Sequence, residues 1–156
     1  MNSLPADLLD ILRCAGWGPG RNADIGDLVD LLHSCGFVLS APALDFLREF
    51  GFLRLEHEPS IILRGKKSPC WTTFDPTAVA THRDARIADR CSSVVGKSLC
   101  PVGVDGFHFT IYMTNEGSLL AGRDASVFRY AESVQGLLRA MFDGSRPTKI
   151  ADWVID

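Results

Sequence analysis

The chain has 156 residues, 46% of them hydrophobic and 22% charged, with a formal net charge of −3. That length suits one domain whose core folds without disulfides or metal, and the balance excludes a disordered or low-complexity chain. Bulk charge excludes a polycation built for nucleic acid, no apolar run reaches the roughly 20 residues of a membrane span, and Met1 to Asp7 lacks the basic start and apolar stretch of a secretory signal. The expected location is therefore the cytoplasm, away from the membrane.

Ser3, Pro5 and Asp7 open a predicted helix over 4–15, with Leu8, Leu9, Ile11, Leu12 and Ala15 at helical spacing until Gly16 stops it. A sharp corner follows: Gly16-Trp17-Gly18-Pro19-Gly20-Arg21 holds three glycines and a proline, which forbid helix and fix one connection. Trp17 is thus presented from a turn, as a lid on the core or as an exposed anchor for a partner. Asp24 caps a second predicted helix with Ile25, Leu28, Val29, Leu31, Leu32 and Cys35 as its apolar stripe and Gly36 at its end. Ser40 with Pro42 opens a third, carrying Leu44, Leu47 and Phe50 and ended by Gly51.

From Phe52 the period changes. Residues 52–57, 60–64 and 71–74 read as strands, with a turn over 65–69. Asp75-Pro76 breaks the third of these, and Asp75 is placed to cap a helix over 77–95, whose sparse apolar side (Val79, Ile87, Cys91, Val94) makes it peripheral. Residues 99–103 read as a strand, and 107–113 pairs with 118–121 through Asn115 and Gly117 as a hairpin. Val127 to Phe142 reads as a last helix with Val127, Tyr130, Ala131, Val134, Leu137, Leu138 and Met141 inward, before an apolar tail at 150–155. Strands joined by short turns predict an α+β domain over 1–156, a mainly antiparallel sheet with helices on one side.

Cys14, Cys35, Cys70, Cys91 and Cys100 are odd in number, irregularly spaced and without a CxxC pair. They predict neither a disulfide framework nor a zinc site, and Cys14 and Cys35 fall on apolar helix faces as small hydrophobes. Several motifs are nearly complete. Gly96-Lys97-Ser98 ends like a P-loop, but Cys91 stands where the first glycine belongs and a strand follows where a helix is needed. His82-Arg83-Asp84 copies a kinase catalytic loop without its Asn or an upstream Gly-rich loop. His57-Glu58 with Pro69-Cys70 lacks the histidine order and second cysteine of a nucleobase deaminase. Asp24, Asp27 and Asp30 suit helix capping and an ordinary pair with His33 better than a metal site. A cysteine hydrolase on Cys70 or Cys91 lacks a legible base and orienter. No catalytic residue, metal or cofactor is predicted. His57, between two glutamates, is the expected surface titrating group, and His108 is expected to face opposite to Phe107 and Phe109.

Taken together, Leu12 with the corner Ala15 to Arg21, the run Ala43 to Gly51 with Phe46-Leu47 and Glu49-Phe50-Gly51, Phe74-Asp75-Pro76, Leu99 with Pro101-Val102-Gly103, and the hairpin ending Glu116-Gly117 resemble the SUKH superfamily. Within that superfamily, named for a yeast cell-wall regulator and its bacterial relatives, they resemble the SUKH-3 group. Phe52 departs from the pattern where a second glycine is common, and the strand after Gly117 lacks the usual aromatic. The resemblance implies a curved antiparallel sheet flanked by helices, no enzymatic activity, and an immunity role. The partner would be a cognate toxin, a nuclease, deaminase or other enzyme delivered by a neighbouring cell, bound without direct nucleic-acid or membrane contact. It makes Gly16, Trp17, Pro19, Gly20, Arg21, Gly51, Asp75, Pro76, Pro101 and Gly103 structural labels of the fold, with Trp17 as lid. The yeast relatives suggest the alternative, an interaction module of an endogenous cytosolic network.

Charge is unevenly spread: −5 over residues 1–60, +4 over 61–100 and −2 over the remainder. Such polarity steers a charged partner. The residues expected at the interface are Glu56, Glu58, Arg64, Lys66 and Lys67 with Trp71, an aromatic among charges; a solvated, charge-protected sheet edge is the other reading of the same residues.

Overall fold

A computed structural model describes residues 4–63 and 66–154, with 58–63 and 66–69 described by backbone alone. Three short helices, α1 (Ala6–Cys14), α2 (Gly26–Ser34) and α3 (Ala41–Phe50), precede a seven-stranded sheet. Its strands are β1 (Arg54–Leu63), β2 (Lys66–Thr73), β3 (Leu99–Asp105), β4 (Thr110–Thr114), β5 (Leu119–Arg123), β6 (Ser126–Ala131) and β7 (Thr148–Asp152). Helix α4 (His82–Val95) is inserted between β2 and β3, and α5 (Val134–Asp143) between β6 and β7. Sheet order follows chain order and every neighbouring pair is antiparallel, giving the expected α+β class.

Local chemistry explains where elements differ from expectation. Asp75 accepts the Thr77 N–H at 3.0 Å and caps only a 3-10 turn, Pro76–Val79. Ala80 then leaves helical geometry and Thr81 is extended, so Thr81 starts α4 afresh, its hydroxyl accepting the Asp84 N–H at 3.0 Å. Residues 77–95 are therefore two elements, and the buried side of α4 is Ala85, Ala88 and Cys91, with Val94 exposed. The predicted helix over 127–142 also divides. Ser126–Ala131, rich in β-branched and aromatic side chains, pairs with β5, and Ser133 caps α5 by accepting the Gly136 N–H at 3.1 Å. The two strands expected over 52–64 form one, β1, whose register is irregular between His57 and Ile61, the stretch holding Pro59. An edge strand tolerates a residue with no N–H to donate. Of the helix starts, Ser40 caps α3 as expected by accepting the Ala43 N–H at 3.4 Å, whereas Asp24 acts just outside α2, accepting the Gly26 N–H at 3.1 Å. Ser3 lies outside the described residues.

Helices cover both faces of the sheet, not one. Met113 of β4 meets Phe46 and Phe50 of α3 and Val134 of α5 on one face, while Tyr112 meets Ile87 and Cys91 of α4 on the other. This follows from strand alternation, which sends neighbours to opposite faces. The face under α3 and α5 carries the densest aromatic packing: Phe46, Phe50 and Phe74 have ring centroids 5.0 to 6.1 Å apart. Cys35 is buried as expected, its thiol donating to the Ala80 carbonyl at 3.2 Å, but Cys14 is exposed near the end of α1.

Candidate functional site

The glycine-rich corner is built into the scaffold. Gly16 and Gly20 take φ of 107° and 76°, which lets the chain reverse between α1 and α2 and carry Trp17 into the core at 8% exposure. The indole Nε1 donates to Glu49 Oε1 at 3.2 Å. Arg21 donates from Nη1 to the Glu49 carbonyl at 2.7 Å and from Nη2 to the Gly51 carbonyl at 2.8 Å. The last carbonyls of a helix have no partner within it and sit at the negative end of its dipole, so this guanidinium satisfies α3 both ways. Gly51 and Gly103 are close approaches: a Cβ on Gly51 would lie 2.2 Å from the Leu47 carbonyl oxygen, and one on Gly103 2.6 Å from that of Thr73. Pro76 and Pro101 are buried, the latter beside a register shift in β3, while Pro19 is exposed.

Of the expected interface residues, the structure places Glu56 and Trp71 directly opposite each other on β1 and β2. Glu56 is exposed and Trp71 half-buried. Arg54, absent from the expected set, lies over the Trp71 ring at 4.5 Å, a cation–π contact on the same face. Its signal was available: two residues before Glu56, it shares that side of the strand. The side chains of Glu58, Lys66 and Lys67, and Arg64, lie outside the described residues. Cross-strand pairing extends this face over the whole sheet in one row, Arg54, Thr73, Val104, Thr110, Gly122, Val127 and Ala151. Since Thr110 and Gly122 lie beneath α4, the Arg54–Trp71 stack is on the α4 side.

His57 is not at the surface. It is 7% exposed, its Nε2 2.7 Å from the Thr72 hydroxyl and its ring 6.1 Å from that of Phe142 in α5. The row Leu55, Thr72, Asp105 puts Asp105 in the same polar island, at 4% exposure. Burial raises the Asp105 carboxyl above its ordinary range, opposed by N–H bonds to its Oδ1 from Phe107 at 2.9 Å and Phe109 at 3.0 Å and by nearby His57 and Arg123. Cys70 pairs with His57 across the strands, but burial and then Asp105 raise its thiol, disfavouring a thiolate. Burial also raises Cys91, and pushes Cys100 up to about 12. Among the described residues no three His, Cys, Asp or Glu side chains converge to hold a metal ion. His108 is exposed from a left-handed backbone position, φ 65°, opposite in burial to Phe109.

Under the first half of α4 a cleft of about 550 Å³ opens onto the sheet. Its floor is Thr110, Tyr112 and Gly122, its wall Ile87 and Cys91, and Trp153, just past β7, closes one end. Arg83 and Arg90, two turns apart on α4, meet Arg123 from the end of β5 there, and only the fold brings the third arginine to the other two. The family model for SUKH-3 immunity proteins matches residues 4–144. The chain belongs to the SUKH-3 immunity protein family. No curated protein matches it, and no solved structure does. In this SUKH-3 protein the matched span runs from α1 through α5, so that β7 and Trp153 stand beyond it. None of its described helices is long and apolar enough to cross a membrane.

Proposed function

We propose that this SUKH-3 protein binds a cognate toxin domain in the cytoplasm and neutralises it by protein–protein contact, without catalysis of its own. Membership of an immunity protein family over residues 4–144 is the observation that carries the reading. The arrangement of side chains supports it: the glycine-rich corner is consumed in holding α1, α2 and α3 together, and the buried thiols are held away from their reactive form. What is left at the surface is recognition chemistry. Arg54 over Trp71, with Glu56 opposite, presents the residue types that dominate binding energy, on strands that need no reorganisation to meet a partner. Glu58, Arg64, Lys66 and Lys67, expected at the interface from the sequence, belong to the same proposed contact. A standard interface buries about 800 Å² on each partner, so the strip must be joined by more of the α4-side face.

Co-expression with a toxin domain encoded by a neighbouring gene tests this. Rescue of growth, together with a stoichiometric complex from the purified proteins, is expected. A neighbouring toxin that kills equally with and without this protein, or a pull-down returning only housekeeping proteins, would move the reading to the endogenous interaction module.

A further inference from the structure

Resting on the immunity reading, we propose that the cleft under α4 is the seat for an acidic side chain of the toxin, with Arg83 as the group that receives it. Two of the three arginines at the cleft are fixed by the protein itself. Arg90 donates from Nη1 to the Val154 carbonyl at 3.0 Å and lies 5.2 Å from the Trp153 ring; Arg123 donates from Nη1 to the Phe107 carbonyl at 3.2 Å and lies 4.3 Å from the Phe109 ring. Arg83, exposed on the first turn of α4, has no side-chain partner among the described residues. A free guanidinium lining the same cleft as two anchored ones makes a preorganised positive rim, and its planar fork pairs bidentately with a carboxylate.

The opposing charges are Asp84 and Asp124. Asp84 is engaged by the Thr81 hydroxyl at the start of α4, and Asp124 is exposed at the β5–β6 turn. Three guanidinia against two carboxylates favour a single acidic side chain over a polyphosphate chain, which both aspartates and the net charge of −3 repel. The floor fits the stem of such a side chain. A Cβ at Gly122 would lie 2.9 Å from Tyr112 Cε2, so glycine there keeps the floor low, with Ile87 and Cys91 as an apolar wall. The cleft shares its face with the Arg54–Trp71 stack, through the row Arg54, Thr73, Val104, Thr110, and so adds the area that the strand strip lacks.

Two titrations test the assignment, using wild type, Arg83→Glu, Arg83→Ala and, as a remote charge reversal on α1, Arg13→Glu. Against the neighbouring toxin domain at about 0.15 M salt, Arg83→Glu should weaken affinity at least about tenfold and Arg83→Ala less, with Arg13→Glu within about twofold. Wild type that binds while both Arg83 variants bind equally well overturns the cleft and leaves the immunity reading standing; wild type that does not bind overturns the immunity reading. The second titration needs no toxin: an acetylated peptide of alternating Glu and Leu, followed by NMR at the Trp153 indole N–H and the Gly122 amide. Both signals should shift in wild type and stay still in Arg83→Glu. No shift, or a larger one with a single-stranded oligonucleotide, overturns the assignment.

Discussion

The two faces of the sheet are built to different rules. Under α3 and α5 the strands offer Leu55, Ile111, Met113 and Leu119 to Phe46, Leu47, Phe50, Leu137 and Leu138, all buried, and the glycine-rich corner ties α1 and α2 onto the same mass. Under α4 the strands offer Thr73, Val104, Thr110 and Gly122 beside the larger Tyr112 and Leu120, and the helix answers with Ala85, Ala88 and Cys91, Ile87 standing at the cleft wall. Large side chains that interlock leave little room, whereas the small ones at Thr110, Gly122, Ala85 and Ala88 leave a cleft beside Tyr112 and an uncovered strip. On the proposed reading, one face carries stability and the other carries recognition.

That division can be broken at the corner first. Trp17→Ala should cost about 3 kcal/mol or more, read by urea unfolding, because it empties a large buried site and orphans the Glu49 contact. Its folded fraction should keep toxin affinity; a stably folded variant with lost affinity would place Trp17 in the interface instead. Arg21→Ala should cost about 2 kcal/mol through two lost charged bonds to the end of α3, and Arg21→Lys should restore only part, since an ammonium does not span both carbonyls.

Asp105 sharpens the comparison, as a polar island on the otherwise apolar face. Asp105→Ala should cost about 1–3 kcal/mol by releasing two backbone N–H groups, whereas Asp105→Asn keeps an acceptor for both. Its folded-state pKa is raised above the unfolded value, so the folded state binds this proton more tightly. The contribution of the group is favourable at low pH and is lost as pH rises from the unfolded pKa through the raised one. The stability of Asp105→Asn relative to wild type should therefore climb as pH rises above the ordinary carboxyl range and level off once the raised pKa is passed, measured by urea melts across neutral and acidic pH.

Phe52 is a smaller test. It holds φ 68° and stands 47% exposed, a bulky side chain in a left-handed backbone. Phe52→Gly should raise stability by up to about 1 kcal/mol in the same assay. Smallest of all, Arg54→Ala and Arg83→Ala should leave stability within about 0.5 kcal/mol, as exposed positions on the α4 side.

What the sequence reveals follows the same divide. Helix stops, the glycine-rich corner and the Asn115–Gly117 hairpin are legible because turn chemistry is local. The strand at 126–131 is not: its alternation overlaps a helical stripe that runs on into α5, and only the open edge of β5 decides between them. His57 shows the same limit, since its glutamate neighbours suggest water while Thr72, fifteen residues away, draws it inside. Glu56 and Trp71 could be chosen by residue type, but the arginine that completes them and the cleft across the sheet depend on pairing over five strands. A mostly polar helix with a sparse apolar side reads as peripheral, yet α4 lines the cleft.

The most direct measurement is an NMR footprint: isotope-labelled protein titrated with the proposed cognate toxin domain. Shifts concentrated on the α4-side row, from Arg54, Trp71 and Thr73 through Val104 to Thr110 and Arg83, are the expected result. Shifts confined to α1, α2 and the glycine-rich corner would contradict the division of the molecule into a scaffold face and a recognition face.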